Sequence, residues 1–354
     1  MIRTIDDLRA LVLRGFTDWA SEGAVTVKES GDLLLFNYDR DATWERPFEV
    51  MSRGLILNRV TGEVVARPFD KFFNWGERGL KGTGHIDTCT EKMDGSLGIL
   101  YRTDSGFRIA TRGSFTGEQA LWATEFLKGW DLSDLDPALT LLFEIIYPEN
   151  RVVLDYGDLE DLVLLAARNR FNGRYLPFFP MGRNTGVTEL AWKYGFGTPQ
   201  VCAFNNIAAI LEAAGTLDGE HEGWVIEMSD GSRWKIKGDR YLELHRLITG
   251  LSLKSVLQAI RENTLDHMKA ELPEEFAEQV AIWEAQVRVE YDAIRHAVDL
   301  AYREAPKDTR KEFAIWVMAN HRDIAPLLFN RLDGQDIGPK LWPMIEDRLK
   351  TTNS

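Results

Sequence analysis

The feature that most constrains the fold is an abrupt change of texture near Glu243. From about residue 25 to 240, short apolar runs alternate with Gly, Asp and Asn turns. After it, the runs stop and apolar residues recur every three or four positions. Leu33-Leu34-Leu35-Phe36, Gly54-Leu55-Ile56-Leu57, Glu63-Val64-Val65-Ala66 and residues 97–101, 107–111, 139–147, 162–167 and 224–228 read as strands. Turns as tight as Ser229-Asp230-Gly231-Ser232 join neighbouring runs, so antiparallel sheets are expected over a doubly wound parallel one. Downstream, Pro273 is placed to start a long helix, with Phe276, Val280, Trp283, Val287, Tyr291, Ile294 and Val298 along one stripe. A further helix is expected from Lys311 towards His321, and residues 1–20 read as an amphipathic helix carrying Leu8, Leu11, Val12 and Phe16. The expected class is α+β: an antiparallel-sheet domain over residues 1–242, then an all-helical domain over 243–354.

Composition narrows the chemistry. The 354 residues, 44% of them hydrophobic, are enough for two buried cores. Two cysteines, Cys89 and Cys202, rule out a disulfide framework or a cysteine-based zinc site. The first residues carry acids and lack the apolar core of a signal peptide, and no stretch reaches the roughly 18 apolar residues that span a bilayer. A cytoplasmic protein without membrane partners is expected. A net charge of -13 speaks against tight duplex binding over the whole surface, but not against a local basic groove.

The run Thr90-Glu91-Lys92-Met93-Asp94-Gly95-Ser96 holds a Lys-x-Asp-Gly motif between two strands. A lysine with its ordinary pKa of about 10.4 is protonated at neutral pH and a poor nucleophile. Neighbouring positive charge would favour the neutral amine that can attack phosphorus. Asp94-Gly95 supplies a sharp turn, and Gly95 lets backbone approach a ligand closely. In Arg233-Trp234-Lys235-Ile236-Lys237 the period of two puts Lys235 and Lys237 on one face and Trp234 and Ile236 on the other. That face reads either as a cationic wall for a polyphosphate or as an edge strand guarded by lysines. Glu144 interrupts the apolar run 139–147, where a carboxylate needs a partner: a structural arginine, a metal-bound water or a ligand hydroxyl. Arg53 and Lys71 each place a cation beside a strand, and Phe72 and Phe73 offer apolar or stacking surface.

Together and in this order, these segments resemble the covalent nucleotidyltransferases, the superfamily of ATP-dependent ligases and mRNA capping enzymes. The chain is most similar to the RNA ligase 1 family of T-even phages and related bacterial ligases, over roughly residues 30–245. Lys92-Met93-Asp94-Gly95 matches the motif of the adenylated lysine, Phe143-Glu144 the third motif, Glu222-Gly223 the fourth and Lys235-Ile236-Lys237 the fifth. Ser52-Arg53-Gly54 and Lys71-Phe72-Phe73-Asn74 resemble upstream elements of this branch, and Tyr241 matches a functional tyrosine. Arg112 stands where the resemblance to the phage enzyme implies a lysine, keeping the charge but replacing a compact ammonium by a fork.

The resemblance implies an ATP-dependent RNA ligase that joins 5′-phosphate and 3′-hydroxyl ends through lysyl-AMP and RNA-adenylate, with Mg²⁺ or Mn²⁺. Lys92 would be the nucleophile, with Lys235 and Lys237 on the α-phosphate. Arg53 and Lys71 would take the outer phosphates, Glu144 and Glu222 the metal. Phe73, Glu91, Gly95, Arg112 and Tyr241 would complete the nucleotide site. RNA repair is the implied role, with nicked tRNA as one substrate. No Walker A loop or phosphatase motif occurs in the chain, so a separate end-healing kinase or phosphatase would be its partner. A capping-type guanylyltransferase or DNA ligase of the same superfamily, and an inactive RNA-binding module, are the alternatives. The helical tail reads as an RNA-specificity domain or a protein-interaction domain.

Overall fold

The computed structural model describes residues 2–182, 185–272 and 276–352. Its contacts divide the chain into Met1–His245 and Arg246–Ser354. In chain order the strands of the first unit are β1 (Val25–Ser30), β2 (Leu33–Tyr38), β3 (Arg53–Asn58), β4 (Val64–Ala66), β5 (Phe73–Asn74), β6 (Ile86–Glu91), β7 (Ser96–Thr103), β8 (Gly106–Ala110), β9 (Leu139–Ile146), β10 (Asp161–Asn169), β11 (Gly223–Met228) and β12 (Arg233–Lys237). They form three four-stranded sheets, ordered β1-β2-β3-β4, β10-β9-β7-β8 and β5-β12-β11-β6. Pairing is antiparallel as expected, except where Trp234 and Lys235 of β12 run parallel to Phe73 and Asn74 of β5.

Period-two alternation explains the layering. In β2 and β3, Leu34, Phe36, Leu55 and Leu57 face the N-terminal helix, joining Leu8, Val12 and Phe48 in one core. Leu35 and Ile56 face the other way, onto Ile99, Tyr101, Ala110 and Leu142 of the second sheet. That sheet's opposite face, with Leu141, Phe143 and Ile145, is covered by the helices Glu118–Phe126 and Val187–Tyr194. The third sheet packs Trp224, Ile226, Trp234 and Ile236 under the helix Ile207–Thr216 and leaves Lys235 and Lys237 on its other side. A one-residue slip of β12 would bury both lysines and expose Trp234 and Ile236. It would forfeit about 1.5–3 kcal/mol per apolar side chain before any cost of burying charge, so the register is held.

Several local expectations change. The N-terminal helix covers only Ile5–Leu13, because Gly15 takes a left-handed φ of +71° and turns the chain. Phe16 lies beyond the helix, edge-on to Trp19 at 4.9 Å. The strand-rich region also holds these three packing helices, each only eight to ten residues long. In the second unit the long helix is Ala277–Glu304, with Val280, Val287, Ile294 and Val298 buried as the stripe foresees. Pro273, its expected start, lies outside the described residues. The next helix runs Arg310–Asn320, capped by Thr309, whose side chain accepts from the Glu312 N–H. Among the described residues no helix is long and apolar enough to cross a membrane.

Candidate active site

Lys92 follows the last residue of β6, and β7 begins at Ser96, so four residues carry the chain from the third sheet to the second. They are held from several sides. The Lys92 N–H donates to the Gly223 carbonyl at 2.8 Å. The buried Asp94 carboxylate accepts from the N–H groups of Val153 and Leu154 at 2.9 and 2.8 Å, and from the Tyr241 hydroxyl at 2.9 Å. The Asp94 N–H in turn donates to the Tyr156 hydroxyl at 2.9 Å. Gly95 is dictated by close approach: a Cβ there would lie 2.5 Å from the Ile145 carbonyl oxygen. Its N–H donates to Glu144 Oε1 at 3.0 Å, bringing β9 to the lysine turn.

Glu222 bridges two lysines, with Oε2 2.6 Å from Lys92 Nζ and Oε1 2.8 Å from Lys237 Nζ. The Glu222 side chain is 2% exposed, that of Lys237 8% and that of Lys92 20%. Gly223 makes this possible: its φ is +137°, and a Cβ would sit 2.1 Å from the Ile236 carbonyl oxygen, so only glycine lets β11 lie this close to β12. Burial alone would pull the Lys92 ammonium down in pKa, but Glu222, Glu144 and Asp94 outweigh it and the net shift is upward. This reverses the expectation that neighbouring cations favour the neutral amine. In the ligand-free site the amine is protonated. Glu144 is pushed up to about 7 by burial, with Glu222 and Asp94 adding to the rise and Lys92 opposing it. Its hydrogen-bond partner is the Gly95 N–H, not an arginine.

Four further cations gather on two aromatic rings. Arg53 and Lys235 lie over Phe72 at 5.4 and 5.9 Å, and Lys71 and Arg112 over Tyr38 at 5.9 and 4.9 Å. Arg112 also donates to the Tyr38 hydroxyl at 2.7 Å. A Cβ at Gly54 would be 3.1 Å from the Arg112 Cα, which fixes Arg112 beside Arg53. One terminal nitrogen of Arg53 is buried without a hydrogen-bond partner, as expected of a group built to meet an anion. Lys71 is 6% exposed and boxed by Trp44 at 4.8 Å and Phe73 at 4.9 Å, so Phe73 serves the ammonium. Glu91, at the end of β6, is paired opposite Trp224, with His221 3.9 Å from its carboxylate.

The geometry thus brings Lys92, Glu144, Glu222 and Lys237 to one point, with Gly95 as the backbone link. Arg53, Lys71, Arg112 and Lys235 form a cationic surface around two rings. Tyr241 is buried and supports the lysine turn through Asp94. Asp94 as an anchor, and Tyr38 and Trp44 as the ring platform, were missed. The only sequence signal for Asp94 was its place in the motif, and Tyr38 and Trp44 carry none. Among the described residues no group of three or more His, Cys, Asp or Glu could hold a metal. Glu144 and Glu222 do offer carboxylate oxygens of the kind that fit a divalent ion keeping most of its waters, as Mg²⁺ does.

A family model described as RNA ligase matches residues 51–241, more than half of the chain. An RNA ligase of Rhodothermus phage RM378 is 25% identical over 390 aligned residues, covering 88% of this chain and 87% of its own. An inferred bifunctional polynucleotide kinase/RNA ligase of Autographa californica nuclear polyhedrosis virus is 31% identical over 251 residues, 61% of this chain. The chain spans only about a third of that relative, 34% of its length. Among solved structures, an archaeal ATP-dependent RNA ligase aligns over 86% of this chain and 85% of its own, at 16% identity and a TM-score of 0.44.

Proposed function

The chain belongs to the RNA ligase family, and from that premise we propose that it seals RNA ends through a lysyl-AMP intermediate formed from ATP on Lys92. The observation that carries the reading is the Glu222 bridge. It holds a candidate nucleophile, Lys92, and a candidate phosphate ligand, Lys237, on one carboxylate, 2.6 and 2.8 Å away.

In the first step the deprotonated Lys92 amine attacks the α-phosphorus of ATP. A P–N bond forms, the bond to the bridging oxygen breaks, and pyrophosphate leaves. The ammonium must first lose a proton, and Glu222 Oε2 is the carboxylate oxygen that already accepts its hydrogen bond. Lys237 and Lys235 would offset charge developing on the α-phosphate, while Arg53, Lys71 and Arg112 hold the departing phosphates. Glu144 and Glu222 would hold the divalent ion through waters; when bound, it supplies positive charge that favours the neutral amine and neutralises phosphate. In the second step an oxygen of the RNA 5′-phosphate attacks the adenylate phosphorus, and the Lys92 amine leaves. In the third, the 3′-hydroxyl loses its proton and attacks the activated 5′-phosphate, expelling AMP. RNA repair, with cleaved tRNA as one substrate, is the role this chemistry suits. The virus relative's name joins a kinase to a ligase, which supports a separate end-healing partner here.

Incubation with α-³²P-ATP or α-³²P-GTP tests the chemistry. Covalent label from ATP alone, lost in Lys92→Ala, is expected. Label from GTP would instead favour a capping-type enzyme, and no label from either in folded, AMP-free protein would mark an inactive RNA-binding module.

A further inference from the structure

Away from the lysine turn, the N-terminal helix, the segment from Trp44 to Met51 and the chain from Glu63 to Asp70 line an open cleft of about 690 Å³. That lies within the roughly 300–1,000 Å³ typical of small-ligand sites. Its basic wall centres on Arg67, whose Nε is buried with no hydrogen-bond partner. Leaving such a donor unmet is costly unless something completes it. Gly173 gives the guanidinium its place: a Cβ there would be 2.5 Å from the Arg67 guanidinium carbon.

The acids lining the cleft are matched by other arginines. Asp6 pairs with Arg9 at 3.0 Å, Glu63 with Arg170 at 2.5 Å, and Asp70 with both terminal nitrogens of Arg168 at 3.0 and 2.7 Å. Glu45, the remaining acid, is exposed. Burial and then the nearby Arg168 lower the Arg67 pKa, with Asp70 opposing. The lining also includes the rings of Trp44 and Phe171. Phe171 is 59% exposed even though Arg170 lies over its ring at 4.2 Å. Trp44 also borders Lys71, so this cleft and the cationic surface of the lysine site share one side chain.

We propose that this cleft holds one unpaired nucleotide of the RNA substrate, its phosphate on Arg67 and its base against Trp44 and Phe171. The subsite rests on the RNA ligase reading above and gives the strand a hold away from the reacting lysine. Unpaired RNA is bound in general by basic side chains on its backbone and aromatic faces on its bases. Adenylylation needs no RNA and shares only Trp44 with this cleft, so it is indifferent to Arg67 and Phe171; RNA affinity is not.

The test uses the full chain with Arg67→Gln and Phe171→Ala. Lysyl-adenylate labelling without RNA is compared with the anisotropy of a fluorescent, 5′-phosphorylated single-stranded oligoribonucleotide across salt concentration. Labelling is expected to stay at the wild-type level in both. Phe171→Ala should weaken RNA binding by about 5- to 150-fold, the range of one base–aromatic stack, without changing the salt slope. Arg67→Gln should weaken binding and flatten the slope of log K against log salt by about 0.7, one phosphate contact. Intact labelling with wild-type affinity and slope in both variants overturns the subsite and leaves the ligase reading standing. If Arg67→Gln fails to fold, wild-type RNA affinity in the surface variant Phe171→Ala overturns it alone. No label in the wild type overturns the ligation reading, and the subsite with it.

Discussion

Replacing Glu222 with Gln should destabilise the ligand-free protein far more than replacing the lysine it holds. The carboxylate is 2% exposed and serves Lys92 at 2.6 Å and Lys237 at 2.8 Å. Removing one member of a buried pair costs about 3–5 kcal/mol, because the charge left behind has neither water nor partner. Here two ammonium groups would be stranded. They share one carboxylate, so the costs do not simply add, and the partial exposure of Lys92 moderates its share. For a unit of this size each kcal/mol shifts the melting temperature by about 2–4 °C, so Glu222→Gln should lower it by roughly 6–20 °C. Lys92→Met should cost less, since Glu222 keeps Lys237. The double variant Glu222→Gln/Lys92→Met should be more stable than Glu222→Gln by at least about 1 kcal/mol, since one stranded charge is gone. Urea unfolding at pH 7.5 with EDTA, followed by tryptophan fluorescence, measures all four proteins. The pH is safe: with its pKa raised, the Lys92 contribution is complete below the unfolded value of about 10.4 and is lost only as pH rises through the higher folded value. If Glu222→Gln lies within about 0.5 kcal/mol of wild type, or the double variant is the least stable of the four, the bridge argument fails.

Other perturbations reach the same site by different routes. Asp94→Ala removes the acceptor of two buried N–H groups and a hydroxyl. Chemical denaturation should register a loss of at least about 2 kcal/mol, and lysyl-adenylate should no longer form. Tyr241→Phe removes the hydroxyl that donates to Asp94, so a loss of about 1.5–3 kcal/mol and slower adenylylation are expected; an unchanged single-turnover rate would deny Tyr241 its supporting role. Because Glu144 is pushed up to about 7, it gains a proton as pH falls through that value. Mn²⁺ affinity measured by calorimetry should then drop up to about tenfold per pH unit below 7 and level off above 8. Glu144→Gln should bind weakly and without that dependence, and a flat wild-type profile from pH 5.5 to 8 would contradict the assignment. Gly223→Ala must place its Cβ against the Ile236 carbonyl oxygen, so soluble yield and melting temperature should both fall sharply; wild-type values would show that β11 and β12 can separate at little cost.

Much of the first unit was legible because strand periodicity is local. The runs that became β2, β3, β7, β9, β10 and β11 are apolar enough to stand out between Gly, Asp and Asn turns. β1, with Thr26, Lys28 and Glu29 outward, carries too little apolar signal to be read alone, and β6, with Asp87 outward, was legible only as the strand expected before the Lys92 motif. The two-residue β5 exists only because β12 offers it a parallel edge. The helices Glu118–Phe126, Val187–Tyr194 and Ile207–Thr216 were hidden because segments of only eight to ten residues become helical mainly by packing on a sheet.

For the site, sequence alone determined the residue types, their order and the faces of β12. Lys235 and Lys237 had to emerge together once Trp234 and Ile236 were buried, since alternation follows from covalent geometry. What only the tertiary structure decided is which charges meet. Lys92 and Glu222 are 130 residues apart, yet their separation of 2.6 Å follows from the way β6 and β12 flank β11, with Gly223 permitting the approach. That pairing turns an expected electropositive surrounding of the lysine into a net negative one, and so reverses the sign of its pKa shift. Electrostatic energy depends on distance through space and on the exclusion of water, and neither is written in the spacing of residues along the chain.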